Sequence, residues 1–136
     1  MHRPVPILVV DNDEDAREGL CRLLRHDGYI VDAAADGMQA LDRVERRPYA
    51  LVITDMLMPR VGGLVLLGRL RKTRPRLPVL LITAFGDWDS YARALELGVT
   101  AYLTKPFRSD ELLEAVRRAL EESRRGVGAP GREDSK

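Results

Sequence analysis

The sequence has little cysteine and no excess charge of either sign. Cys21 is the single cysteine among 136 residues, which excludes an internal disulfide and a cysteine-based metal cage and fits a reducing compartment. The 22 Lys and Arg side chains are nearly balanced by 21 Asp and Glu. A dedicated nucleic-acid-binding protein usually carries a clear basic excess. We therefore expect no direct nucleic-acid binding by this chain.

Long apolar runs are also missing. The first apolar run ends at Asp11 and is too short for the core of a signal peptide or for a membrane span. We therefore expect a cytoplasmic protein that makes no membrane contact. With 136 residues, 45% of them hydrophobic, the chain has enough material for one domain core. It leaves no room for a second folded module of ordinary size.

Short apolar runs alternate with amphipathic stretches, a pattern typical of an α/β fold around a parallel sheet. The predicted strands are residues 7–10, 29–33, 51–54, 79–82 and 100–103. The predicted helices are residues 13–26, 37–46, 64–72, 88–97 and a last one that is capped by Ser109. Residues 4–122 are thus expected to form one domain. Residues 123–136 lack apolar periodicity and are expected to be a disordered tail or a truncated linker.

Polar side chains follow four of the predicted strands. They are Asp11-Asn12-Asp13, Asp55, Thr83 and Lys105. Ligands of open parallel sheets bind beyond the carboxyl ends of the strands, so these residues are expected to share one site. Carboxylates gathered at one edge repel one another unless a cation is supplied, and oxygen ligands without a His or Cys cluster point to Mg²⁺. A carboxylate can also attack phosphorus, while an ammonium and a hydroxyl can hold phosphoryl oxygens.

Each of these residues also has an ordinary explanation. Asp11-Asn12-Asp13 can cap a helix, and Asp55 can belong to a turn. Thr83 is a normal strand residue, and Lys105 is a normal surface residue. Four such coincidences on one side of one sheet are much less common than any single one, which favours a shared site.

Four motifs resemble the receiver domains of two-component response regulators. They are ILVVDND at 7–13, LVITDMLMP at 51–59, LLITA at 80–84 and AYLTKPF at 101–107. Together they span nearly the whole chain outside the tail. The resemblance implies a flavodoxin-like fold, a single doubly wound five-stranded parallel sheet in the order 2-1-3-4-5 flanked by five helices.

The resemblance also implies the chemistry of the site. Asp55 is expected to accept a phosphoryl group from a sensor histidine kinase or a phosphotransfer protein. Asp11, Asn12, Asp55 and the backbone carbonyl of Leu57 are expected to hold Mg²⁺. The chain is then a bacterial signalling switch and not an enzyme, because it catalyses only its own phosphorylation and dephosphorylation.

Two further residues complete the predicted site and its response. Thr83 is expected to bind a phosphoryl oxygen, and Lys105 is expected to pair with the phosphoryl group across a cis bond to Pro106. Thr83 and the ring of Tyr102 then relay phosphorylation to the face formed by the fourth helix, fifth strand and fifth helix. That face is expected to contact an effector protein or, on phosphorylation, a second copy of the chain. The sequence is also compatible with a receiver domain excised from a longer regulator.

Asn12 departs from the family pattern, because the second residue of the acidic pair is usually Asp. An amide oxygen still ligates Mg²⁺ but carries no negative charge, so we expect weaker metal affinity. Asp13 either compensates as a ligand or caps the helix. Asn12 also leaves open a pseudo-receiver, an interaction module that works without phosphorylation.

A phosphatase of the haloacid-dehalogenase type is the other alternative. Asp11-x-Asp13 after the first strand, with Thr83 and Lys105 later, fits that chemistry. Asp15 stands where that family has Thr or Val, however, and the later acidic motif is missing.

Overall fold

Strands and helices alternate along the whole described part of the chain in this computed structural model, which covers residues 6–84 and 86–124. The strands are β1 (Pro6–Val10), β2 (Ile30–Ala34), β3 (Leu51–Asp55), β4 (Val79–Thr83) and β5 (Ala101–Thr104). The helices are α1 (Glu14–His26), α2 (Gly37–Arg46), α3 (Gly63–Thr73), α4 (Trp88–Glu96) and α5 (Ser109–Arg124). The predicted element boundaries agree with these to within one or two residues. Helix α5 continues two residues past the predicted domain end, and residues 4, 5 and 125–136 lie outside the described ranges.

The five strands form one sheet in the order β2-β1-β3-β4-β5, and every neighbouring pair is parallel. The fold class and the strand order implied by the resemblance are therefore confirmed. The order reverses at β1, which pairs with β2 on one side and with β3 on the other. Ligands of doubly wound sheets bind beside such a reversal, at the carboxyl ends of the strands.

The two faces of the sheet carry separate apolar cores. Leu8 and Val10 of β1 belong to the core that includes residues of α2, α3 and α4. Ile7 and Val9 belong to the core that includes residues of α1 and α5. Successive strand side chains point to opposite faces, so a run of four apolar residues supplies both cores. This explains why β1 does not alternate with polar residues.

Aspartates cap three of the helices. The side chains of Asp13, Asp36 and Asp87 accept backbone N–H bonds at the first turns of α1, α2 and α4. The prediction that Ser109 caps α5 is wrong, because Ser109 is already helical. The backbone N–H of Arg108 donates instead to Glu111 Oε1 at 2.8 Å, which satisfies one free donor at this helix end.

A glycine fixes how α3 starts against β3. A Cβ atom on Gly63 would lie 2.6 Å from the carbonyl oxygen of Asp55 and 2.8 Å from Cα of Met56. The backbone N–H of Gly63 donates to the Met56 carbonyl at 2.8 Å. The loop after Asp55 is therefore held tightly against the end of its own strand.

In the part of the chain that is described, no helix is long and apolar enough to cross a membrane.

Candidate functional site

The strand register brings the predicted site residues to one edge of the sheet. Val10 lies opposite Thr54, so Asp11 and Asp55 are level with each other. Asp55 lies opposite Ile82, and Thr83 follows one residue later. Thr83 lies opposite Thr104, so Lys105 is the next residue on that side. The expected gathering of these four residues is confirmed.

Asp11 is a buried carboxylate that local backbone geometry fixes in place. Asp11 is only 2% exposed, and its Oδ1 accepts a hydrogen bond from the backbone N–H of Asp13 at 2.9 Å. Its carbonyl accepts Nη1 of Arg17 at 2.8 Å. The sequence reading missed Arg17, which lies one helical turn after Asp13 and thereby reaches the loop before α1.

Asp13 and Asn12 differ in what they can offer a metal. Asp13 Oδ1 accepts the N–H of Asp15 at 3.1 Å, so this carboxylate serves as the N-cap of α1. The capping role that the sequence allowed for Asp13 is therefore present in the structure. Asn12 is exposed and leaves the site with an amide where the family usually has a carboxylate.

Asp55 is half-buried, and its surroundings disfavour its charge. Burial raises the pKa of the Asp55 carboxyl, and the nearby charge of Asp11 raises it further. The charge of Lys105 and the backbone N–H of Met56 act against this but lower the pKa by less. The nearby positive charge therefore does not compensate the Asp55 carboxylate for its burial and for the charge of Asp11.

Thr83 ends β4, which pairs with β3, and Lys105 follows β5, which is one strand further along the sheet. Thr83 is fully buried at the end of β4, and its carbonyl accepts the backbone N–H of Lys105 at 2.8 Å. The bond between Lys105 and Pro106 is cis, as the resemblance implied. The strand pairing thus places Thr83 and Lys105 at the same edge of the sheet as Asp55, and the charge of Lys105 lowers the pKa of the Asp55 carboxyl.

The predicted switch residue lies in a series of aromatic rings. The Tyr102 ring meets the Tyr91 ring edge to face, with centroids 5.1 Å apart, and Tyr91 in turn lies 5.8 Å from Trp88. The Tyr102 hydroxyl is buried without a hydrogen-bond partner among the described residues. Burial raises its pKa, and the charge of Asp87 adds to this. Trp88 is 74% exposed, so its ring lies outside the apolar cores.

The donor set at this edge fits a hard divalent cation. Asp11 and Asp55 supply carboxylate oxygens whose mutual repulsion a cation relieves, and the exposed Asn12 supplies an amide oxygen. Leu57 lies in the loop that Gly63 holds against β3, within two residues of Asp55. Within the described ranges, no group of three or more His, Cys, Asp or Glu side chains has a metal-binding arrangement.

Comparison with known proteins identifies the family. The family model described as response regulator receiver domain matches residues 7–117. Response regulator MprA of Mycobacterium sp. (strain KMS) is 42% identical over 117 residues, which cover 86% of this chain and 51% of that protein. The chain thus spans about half the length of the curated relatives it matches.

Solved structures agree with this assignment. A receiver domain protein from Methanospirillum hungatei has a TM-score of 0.88 at 27% identity, covering 91% of this chain and 99% of that one. Response regulator TrrA from Thermotoga maritima, solved in complex with Mg²⁺-BeF, has a TM-score of 0.79 at 35% identity, covering 85% and 99%. The chain belongs to the response regulator receiver domain family of two-component systems.

Proposed function

We propose that the chain is a Mg²⁺-dependent phosphorylation switch that receives a phosphoryl group on Asp55 from a sensor histidine kinase or a phosphotransfer protein in the cytoplasm. The observation that carries this proposal is the half-buried Asp55 carboxylate with its raised pKa, level with Asp11 and on the same edge as Lys105. A site short of positive charge suits a metal cation. Outside its own phosphorylation and dephosphorylation, the chain is proposed to have no enzymatic activity.

In the proposed reaction, an Asp55 carboxylate oxygen attacks phosphorus as the bond from phosphorus to the histidine nitrogen breaks. The electron pair of that bond stays on the imidazole nitrogen, which takes up a proton from water as the histidine leaves. Lys105 neutralises charge on the transferred group, and the Thr83 hydroxyl donates to one of its oxygens. When bound by Asp11, Asn12, Asp55 and the Leu57 carbonyl, Mg²⁺ supplies the remaining charge neutralisation; TrrA was solved with Mg²⁺-BeF.

The proposed response begins at Thr83 and ends at the α4-β5-α5 face. Movement of the Thr83 hydroxyl toward the phosphoryl group makes room for the Tyr102 ring. The buried Tyr102 hydroxyl has no hydrogen-bond partner in the described residues, so turning the ring breaks no hydrogen bond. Tyr91 and Trp88 pack in series against that ring, so its movement reaches the exposed surface of α4. That face is proposed to bind an effector or a second phosphorylated copy.

The experiment is phosphorylation by a small acyl-phosphate donor with Mg²⁺, followed by intact mass measurement. We expect one added phosphoryl group on the wild type and none on Asp55→Asn. Asp13→Asn is the matched control, because it removes a nearby carboxylate that caps α1, and we expect it to be labelled like the wild type.

Two outcomes contradict the proposal. A wild-type protein that takes up no phosphoryl group at any Mg²⁺ concentration is a pseudo-receiver. Rapid multiple-turnover hydrolysis of phosphate monoesters indicates a phosphatase instead.

A further inference from the structure

The basic side chains are unevenly distributed along the chain despite its overall balance. Residues 56–86 contain six Lys or Arg and no Asp or Glu. Five of the six lie in α3 or in the loop that follows it, residues 74–78. Positive charge is therefore concentrated at the amino ends of the strands, about 16 Å from Asp55 if five residues rise about 3.3 Å each.

These cations form an exposed surface together with the end of α2. We call it the cationic surface, and it consists of Arg43, Arg69, Lys72, Arg74 and Arg76, all of them exposed. Arg74 Nη2 lies 3.4 Å from the carbonyl oxygen of Val44, which connects the loop to α2 beside Arg43. Arg69 and Lys72 are three residues apart on α3 and therefore lie on the same side of the helix.

No member of the cationic surface has a carboxylate partner among the described residues. The ion pairs of α2, α4 and α5 join Arg to Asp or Glu of the same helix. Helix α3 contains no acidic residue with which to do this. The like charges of Arg69 and Lys72 repel each other, which costs a helix stability.

The helix dipole accounts for part of this arrangement. Cations in the last turn of α3 interact favourably with its carboxyl end, which explains Arg71 and Lys72. The same dipole favours acids in the first turn, and α3 has none there. It therefore does not explain why the whole segment lacks countercharge.

A half-buried arginine connects the loop of the cationic surface to neighbouring backbone. Arg71 Nη1 donates to the carbonyl of Leu77 at 2.6 Å, and its Nε and Nη2 donate to the carbonyl of Gly98 at 3.0 and 2.8 Å. These bonds fix the loop that carries Arg74 and Arg76. The cations are thus presented by ordered backbone, which lowers the entropy cost of binding a rigid partner.

The composition of the surface distinguishes between classes of anionic partner. The cores of protein interfaces are enriched in Arg but are otherwise depleted in charge and are built around aromatic anchors, and the five residues include no aromatic side chain. Membrane-surface binding needs apolar side chains inserted beside the cations. Interfaces with nucleic acid are polar and strongly positive, and Arg pairs with phosphate through two parallel bonds.

We infer that the cationic surface binds the phosphate backbone of double-stranded DNA without reading its sequence. This goes beyond phosphoryl transfer and does not depend on it, since Asp55 lies at the other end of β3. The sequence-based expectation of no nucleic-acid binding rests on total charge, whereas this inference rests on where the charge lies.

The test is binding of the whole chain to a short fluorescein-labelled DNA duplex, followed by anisotropy across a range of salt concentrations. The variant Arg69→Gln/Lys72→Gln/Arg76→Gln should lower affinity about tenfold or more. It should also reduce the slope of log affinity against log salt by about 2.7, since each lost phosphate contact removes about 0.9. The single variant Arg69→Gln should reduce the slope by about 0.9.

The matched control is Arg22→Gln/Arg93→Gln/Arg118→Gln, which removes the same charge from exposed positions on α1, α4 and α5. It should keep the wild-type slope. Equal losses in both triple variants overturn the inference, as does a wild type that fails to bind the duplex at low salt. Binding to phosphatidylglycerol vesicles but not to the duplex identifies a membrane surface instead. Equal displacement of the duplex by polyglutamate at matched charge identifies a general polyanion site.

Discussion

The two ends of the sheet carry charge in opposite ways. At the carboxyl edge, Asp11 is buried and Asp55 is half-buried, and the charge of Asp11 helps to raise the pKa of the Asp55 carboxyl. At the amino end, Arg69, Lys72 and Arg76 are exposed to solvent, where water and salt screen them. Buried charge therefore governs local chemistry and stability, whereas exposed charge acts outward on whatever approaches.

Arg71 is the exception at the cationic end, and it gives the largest expected effect on stability. Its guanidinium is largely buried, burial lowers its pKa, and backbone carbonyls rather than a carboxylate surround it. Arg71→Met leaves the carbonyls of Leu77 and Gly98 without these donors, so we expect a loss of about 2–4 kcal/mol in the free energy of unfolding, measured in urea. The control Arg69→Met changes an exposed residue and should stay within about 0.5 kcal/mol. If both variants lose the same unfolding free energy, the burial of Arg71 does not make it more important for stability than the exposed Arg69.

The variant Asn12→Asp tests how an added negative charge at the carboxyl edge changes Mg²⁺ binding and stability. A third carboxylate beside Asp11 and Asp55 should tighten Mg²⁺ binding about tenfold, equivalent to roughly 1.4 kcal/mol, as measured by calorimetry. Without Mg²⁺ the same variant should be less stable than the wild type, because the added charge has no partner. Asp13→Asn should change neither quantity, because Asn caps a helix about as well as Asp. If Asp13→Asn weakens Mg²⁺ binding, Asp13 is a ligand after all.

The pH dependence of Asp55 has a definite sign and the smallest expected effect. Its pKa is raised in the folded protein, so folding holds its proton more tightly than the unfolded chain does. Stability is therefore lost as pH rises from about 3.8, the ordinary value, through the raised value. Asp55→Asn should be more stable than the wild type at pH 7, by less than about 1 kcal/mol because the residue is only half-buried.

Thermal unfolding at several pH values checks this prediction. The gain in Asp55→Asn should disappear in acid, where the wild-type carboxyl is protonated. Saturating Mg²⁺ should also remove it at pH 7. A gain that is independent of pH points to packing rather than charge.

Much of the fold follows from local pattern. Runs such as Ile7 to Val10 predict strands because a doubly covered sheet buries both faces, and the structure divides this run between two cores. The gathering of Asp55, Thr83 and Lys105 follows from parallel strands sharing one carboxyl edge. The strand order came from family resemblance, because alternation alone fits several windings.

The rest depends on contacts between distant parts of the chain. Asp13 suits a cap and a ligand equally well as a residue type, and only the N–H of Asp15 distinguishes them. Ser109 is a favourable cap, yet Glu111 reaches back to Arg108 and starts α5 one residue earlier. Arg71 looks like any helix-end cation until Gly98, 27 residues away, is placed beside it.

The ring series on α4 has a spectroscopic consequence. Trp88 is the sole tryptophan of the chain, so indole emission reports from one place on the molecule. That indole touches Tyr91, which touches Tyr102. Any turn of the Tyr102 ring changes the packing of Tyr91 and the surroundings of the indole. The unlabelled protein thus contains its own optical probe, and stopped-flow emission can time the proposed movement of the Tyr102 ring.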